Sequence, residues 1–187
     1  NNRFHGKAGE EYKLFTMACP HFEELETQVW KIIQQNFLEK DGEIKVLEIW
    51  SGPGYTTSII LDSDKRTLVT AIDNEPKMIS QAEEILKEYL QNNRVVLVEK
   101  DALEFLKKHE PNSFDVFASG FTLHNFPKEF RNEVLKEIYK VLKPNGIFIN
   151  AGIGYAAKRI ETEVGMDAHF QVNYLSQFML ALNLLSL

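Results

Sequence analysis

Apolar positions recur along this chain with two alternating periods. After Pro20, placed where a first helical turn tolerates it, Phe22, Leu25, Val29, Ile32, Ile33 and Phe37 follow at helical spacing. Lys40-Asp41-Gly42 reads as a turn, and the near-continuous apolar run Val46, Leu47, Ile49 predicts a buried strand carrying one carboxylate, Glu48. Four further strand-like runs follow: TLVTAID (67–73), RVVLVEKD (94–101), FDVFASGF (114–121) and GIFINAG (146–152). Helical patterns separate them. One places Met78, Ala82, Ile85, Leu86 and Tyr89 on a single face, a short one covers 102–108, and a third aligns Phe130, Val134, Leu135, Ile138, Tyr139 and Leu142. Lys143-Pro144-Asn145-Gly146 is a stop signal before the fifth strand. Strands apolar on both faces, alternating with helices, predict an α/β fold with a doubly wound, mostly parallel sheet covered on both sides. Residues 156–187 read as helical, with Phe170, Tyr174, Phe178, Ala181 and Leu185 on one stripe. With no repeat, low-complexity tract or linker, 1–187 is expected to form a single domain. Its parts are an N-terminal arm and helix (1–40), a core (44–152) and a C-terminal helical segment (153–187).

The stretch KVLEIWSGPGYTT (45–57) runs from the first strand through a glycine turn, Gly52 and Gly54, into helix-compatible residues. Ligands of open α/β sheets bind beyond the carboxyl ends of the strands. A turn without Cβ atoms lets a nucleotide-like ligand rest against backbone there. In a parallel sheet Glu48, Asp73, Asp101 and Ser119 to Phe121 line that same edge. Three converging carboxylates suit a ligand with hydroxyl and amine groups and disfavour a phosphate. Asp73 ends its strand about 20 residues past the turn, where ribose is gripped in such folds, although Asp also serves turns on its own account. Asp101-x-x-Glu104 has the pattern of a capping box, so Asp101 can cap a helix and contact a ligand as well. Glu48 within an apolar strand is costly to bury without a partner.

Composition narrows the function further. The formal net charge is −6, with 27 acidic against 21 basic residues, which disfavours nucleic acid as partner. One cysteine among 187 residues forms no internal disulfide, and a cytoplasmic setting is the simplest expectation. No apolar run reaches membrane-span length, residues 1–15 lack the regions of a signal peptide, and the histidines show no metal-ligand spacing. The expected chain is free of metal and of membrane.

The motifs VLEIWSGPG, AIDNEPKMI, VEKDA and FDVFASGFTLHNF, followed by EIYKVLKPNGIFIN, resemble those of the class I S-adenosylmethionine-dependent methyltransferases, in order and with matching spacing from Ile44 to Gly152. The resemblance implies a Rossmann-like methyltransferase fold, S-adenosylmethionine as cofactor and a small-molecule methyl acceptor. It also implies roles. Gly52 and Gly54 would pass close to the methionine part, with Glu48 organising water and amino groups beside it. Asp73 would take the ribose hydroxyls, and Asn74 and Met78 would lie along the adenosine. Asp101 would accept from the adenine amine with the Ala102 amide on the ring edge, and the Ser119 and Gly120 carbonyls would hold the cofactor's amino group. Since methyl transfer is an in-line displacement, positioning supplies much of the rate. Where the acceptor arrives protonated, His124 and Tyr12 are the candidate bases, and Tyr12 with Phe15 could close over the site.

Two departures from the family pattern set expectations. Trp50 stands where the family has glycine, so its indole either blocks the methionine pocket or is turned away by a shifted backbone. The stretch to Leu187 ends in a helical pattern without the family's last two strands, so either further residues supply them or the sheet keeps an exposed edge that invites pairing, and monomer and homodimer are both open. Two other functions compete. A non-catalytic methyltransferase-like binding module draws support from Trp50. An NAD-dependent oxidoreductase would require glycine at Thr57 and a rim less acidic than this one. Aromatic residues near the expected mouth (Tyr12, Phe15, Phe121, Phe126, Tyr155) hint at an apolar or aromatic acceptor.

Overall fold

A computed structural model describes residues 31–120, 122–123 and 126–150. The arm over 1–18, Tyr12, His124 and the segment 153–187 all lie outside the described residues, as does any strand beyond the fifth. Residues 31–36 are helical, in keeping with the apolar spacing there. Five strands follow: β1 (Ile44–Ile49), β2 (Thr67–Asp73), β3 (Val95–Glu99), β4 (Phe114–Ser119) and β5 (Leu142–Asn150). Between them run α1 (Tyr55–Ser63), α2 (Pro76–Ile85), α3 (Lys87–Gln91), α4 (Ala102–Lys108) and α5 (Lys128–Val141). The sheet order is β3-β2-β1-β4-β5, and every pairing is parallel. The order turns back on either side of β1, so the crevice of a doubly wound sheet opens at the carboxyl ends of β1 and β4.

Alternation along β1 divides the core. Val46 joins Ile60 and Leu61 of α1, Val69, Ala82 and Val116 on one face. Leu47 and Ile49 join Leu103 and Leu106 of α4, Phe117, and Val134, Leu135 and Ile138 of α5 on the other. Apolar side chains cover both faces, as continuous apolar strands require.

Several sequence expectations shift. The helix expected through Met78 and Tyr89 is broken at Leu86, whose ψ of 15° leaves α2 and α3 as separate pieces. Leu86 is fully buried beneath the glycine turn, and the break accompanies that burial. Tyr139, placed on the apolar face of α5, is 52% exposed, and Val141 takes its place in the core. The fourth strand ends at Ser119 rather than 121. The Lys143–Gly146 stop signal ends a helix but does not delay the strand: β5 begins at Leu142 and carries those residues as a bulge. Phe114 faces Leu142 and Val116 already faces Ile147, with Asn145 at φ 62° absorbing the extra chain. Asparagine tolerates that left-handed conformation.

Candidate active site at the carboxyl edge of the sheet

Residues 50–54 connect β1 to α1 and are held by backbone and carboxylate together. The Ser51 amide donates to the Ile72 carbonyl (3.0 Å), the Gly54 amide to the Ser51 carbonyl (3.3 Å), and the Gly52 amide to Asp73 Oδ2 (2.9 Å). Asp73 Oδ1 accepts from the Glu75 amide (2.9 Å), so one carboxylate braces the glycine turn and the turn after β2. The turn role and the ligand role are compatible, since a carboxylate offers about four lone-pair sites. Burial pushes the Asp73 carboxyl above its ordinary value, while the amides of Glu75, Gly52 and Asn74 hold it down.

Gly52 and Gly54 serve different ends. At Gly52 (φ 58°) a Cβ would meet none of the described residues within 4 Å, which leaves room for a ligand above the turn. At Gly54 (φ 90°) a Cβ would lie 2.8 Å from Leu86 Cδ1, so this glycine lets α1 pack on α2.

Glu48 lies below the turn, 2% exposed, and accepts one hydrogen bond from the Thr57 hydroxyl at 2.6 Å. Burial drives its carboxyl up to about 8, against the downward pull of Thr57 and with a further push from Asp73. The carboxyl is therefore largely neutral at pH 7 until a cationic group arrives to stabilise its ionised form. Thr57 was not among the sequence candidates. Its signal was available, since an unpaired carboxyl in a buried strand needs a donor from the helix packed on that face.

Asp101 caps α4, its Oδ1 accepting from the Glu104 amide at 2.9 Å, as the capping pattern predicts. Ala102, the first residue of α4, presents an N–H that has no preceding turn to receive it. Asn74 is exposed, and Met78 is buried in the first turn of α2 at 3% exposure. Ser119 is 1% exposed, and among the described residues its hydroxyl has no hydrogen-bond partner; the Ser51 hydroxyl shares that state. The Gly120 carbonyl accepts from the Thr122 hydroxyl at 2.7 Å. Glu48, Gly52, Gly54, Asp73, Asn74, Asp101, Ala102, Ser119 and Gly120 thus lie at the carboxyl ends of β1 to β4 or directly after them. An open glycine turn and orphaned hydroxyls form a cradle that fits an adenosyl group with an amino-acid tail.

Trp50 resolves one alternative. Strict alternation from Val46 and Glu48 would send its side chain to the α1 face. Its φ of 55° instead turns the indole to the opposite face, where it packs on the α4–α5 side of the core and lies 4.6 Å from the Phe126 ring. Left-handed backbone costs a non-glycine residue roughly 1–2 kcal/mol, and an aromatic pair returns about 0.5–1.5 kcal/mol beyond its buried area. Phe126 in turn lies 4.9 Å from Phe130 of α5. The indole is turned away from Glu48 rather than placed over it.

Among the described residues no group of three metal-ligating side chains occurs, and no helix is long and apolar enough to cross a membrane. Residues 46–146 match the model of a family described as methyltransferase domain. A demethylmenaquinone methyltransferase of Leptospira interrogans is 31% identical over 132 residues, covering 68% of this chain and 51% of that protein. A ubiquinone/menaquinone biosynthesis C-methyltransferase of Rhizobium rhizogenes is 35% identical over 109 residues, covering 57% of this chain and 40% of its own. The chain therefore spans about half the length of curated relatives it matches. Its fold is similar to that of a phosphoethanolamine N-methyltransferase from Haemonchus contortus, with a TM-score of 0.69 at 19% identity, over 98% of this chain and 42% of the other.

Proposed function

The chain belongs to the class I S-adenosylmethionine-dependent methyltransferase family, and we propose that it transfers a methyl group from that cofactor to a small-molecule acceptor with a flat ring. The observation that carries this is the braced turn: the Gly52 amide is fixed on Asp73, with open space above it and buried Glu48 below. The relatives' names, both of quinone-type methyltransferases, support the acceptor class. Trp50 no longer favours a non-catalytic module, because its ring is turned away from the space over Glu48.

When bound, the cofactor would supply an electrophilic sulfonium methyl for in-line displacement by the acceptor, with the neutral thioether as leaving group. Everything else falls to the chain. The Gly52–Gly54 turn lets the methionine part approach backbone. Glu48 beneath it ionises as an amino group arrives, and Asp73 adds ribose hydroxyls to the two amides it already holds. Asn74 and Met78 flank the adenosine, Asp101 and the Ala102 amide read the adenine, and the Ser119 and Gly120 carbonyls take the amino group. His124 or Tyr12 removes a proton where the acceptor carries one, and the chain works in the cytoplasm.

Calorimetric titration with S-adenosylhomocysteine, and with NADH in parallel, tests the reading. Micromolar binding of the first alone is expected, with Asp73→Asn weakening it at least about tenfold, since an amide cannot accept from two N–H groups and ribose together. Binding of NADH alone would overturn the assignment.

A further inference from the structure

We propose that Trp50 and Phe126 form the wall of the acceptor site and select a planar aromatic acceptor, a role resting on the methyl-transfer reading above. Trp50 belongs to the same turn as Gly52, so its indole starts within a side chain's length of the cradle expected to hold the methyl donor. Its left-handed backbone throws the ring to the α4–α5 face, beyond the ends of β1 and β4. Phe126 comes from the segment after β4, the strand paired beside β1. The two rings meet at 35° and 4.6 Å, and Phe126 meets Phe130 at 46° and 4.9 Å. Both ring pairs are tilted rather than stacked, and all three residues are only half-buried.

Half-buried aromatic side chains beside a ligand cradle suit one kind of guest. A flat ring gains offset or edge-to-face contact with both side chains, and a puckered aliphatic ring of the same size does not. Both residues lie clear of the adenosine contacts, which come from β2, β3 and the start of α4. The acceptor wall and the cofactor cradle are thus separable by substitution. Glycine at position 50 suits the left-handed backbone, so Trp50→Gly removes the ring without disturbing the turn.

The test is calorimetric titration of the chain saturated with S-adenosylhomocysteine, using 1-naphthol and its saturated analogue decahydro-1-naphthol as probes. The expected result is binding of 1-naphthol at least about fivefold tighter than the saturated alcohol, the discrimination an aromatic pair supplies. Trp50→Gly and Phe126→Leu should each erase most of that preference, while Trp50→Phe keeps it and affinity for S-adenosylhomocysteine stays within about twofold in all three. In the 15N spectrum, the indole N–H signal lost in Trp50→Phe should shift with 1-naphthol in the unsubstituted chain. Equal affinity for the two alcohols, no binding of 1-naphthol up to its solubility, or unchanged preference in Trp50→Gly overturns the wall. A joint fall in affinity for S-adenosylhomocysteine would show a brace for the turn instead, and overturns it too. Failure of the unsubstituted chain to bind S-adenosylhomocysteine overturns the methyl-transfer reading itself, an outcome distinct from the others.

Discussion

Glu48 and Asp115 lie on neighbouring strands of one sheet, β1 and β4, and are 2% and 6% exposed. Their surroundings differ in kind. Asp115, near the amino end of β4, receives Lys40 Nζ at 2.5 Å, Lys143 Nζ at 2.9 Å and the Lys45 amide at 2.8 Å. Burial alone would raise its carboxyl, but those donors outweigh it and hold the group below its ordinary value. Glu48, near the carboxyl end of β1, has a single neutral hydroxyl among the described residues, and burial carries it up to about 8. The fold compensates the carboxylate at the edge away from the cradle and leaves the one beneath the cradle short of a cation. Shifts of this second kind gather at functional sites, and a cationic ligand group would complete it.

Asp115→Ala attacks the compensated side and should show the largest effect. It strips a partner from two lysines and one backbone amide at once. Breaking a buried ion pair by removing one member costs about 3–5 kcal/mol. Lys143 keeps 37% of its side chain in solvent and can rehydrate, whereas the Lys40 ammonium is buried and must move to reach water, so about 3 kcal/mol is expected by urea unfolding at pH 7. A loss under about 1 kcal/mol would remove the compensation from the account. The sign with pH follows from the lowered value: Asp115 stabilises the fold above the ordinary carboxyl range, and the contribution fades as pH falls through its folded value.

Glu48→Gln attacks the other side with the opposite sign. Because the folded carboxyl holds its proton more tightly than the unfolded one, its stability contribution is complete below about 4.5 and is lost as pH rises towards 8. At roughly 1.4 kcal/mol per unit, the ligand-free chain should lose of order 2–3 kcal/mol between pH 5 and pH 7 from this group. The glutamine variant should lack that slope, and should bind S-adenosylhomocysteine more weakly for want of a negative charge. Parallel stability curves for the two chains, followed by chemical denaturation across that range, would sink the idea that Glu48 is uncompensated.

The contrast between these carboxyls was only half visible in the sequence. Glu48 stood out because a carboxylate in an apolar run demands an explanation, and the run itself supplied strand, face and depth. Asp115 carries no such local signal, because its partners lie 75 and 28 positions away, at Lys40 and Lys143, and one of them is inside a bulge. That bulge reads in sequence as a plain stop signal, since Lys-Pro-Asn-Gly carries the same local chemistry whether the chain then leaves the sheet or loops within it. Strands β1, β2 and β4 and helix α4 were legible within a residue or two because burial on both faces writes a continuous pattern. The break at Leu86 was not, for helical spacing runs through it unbroken. At Trp50 the alternatives were clear but the outcome depended on one dihedral angle and on the Phe126 ring 76 positions later.

The paired glycines sharpen the comparison on the cradle side. Gly54→Ala should cost about 2 kcal/mol by thermal unfolding, from left-handed strain and the 2.8 Å approach of its Cβ to Leu86. Gly52→Ala has the strain without the clash and should cost only about 1 kcal/mol. Its effect on ligand affinity should be the greater of the two, because its Cβ fills the space left open above the turn. Equal losses of affinity in the two variants would mean that the ligand does not rest in the space above Gly52.

The smallest expected difference comes from Trp50, where two substitutions share the loss of the ring and differ only in backbone freedom. Trp50→Ala loses the contact with Phe126 and keeps a Cβ in the left-handed region; Trp50→Gly loses the same contact and relaxes the backbone. The glycine variant should therefore be the more stable by about 1 kcal/mol, the reverse of the order at an ordinary extended or helical position, where glycine loses to alanine. If alanine proved more stable, the backbone at residue 50 would not be left-handed in solution. The indole would then follow the strand's alternation onto the Glu48 face, and a buried carboxyl would share its cavity with an aromatic ring in place of an open cradle.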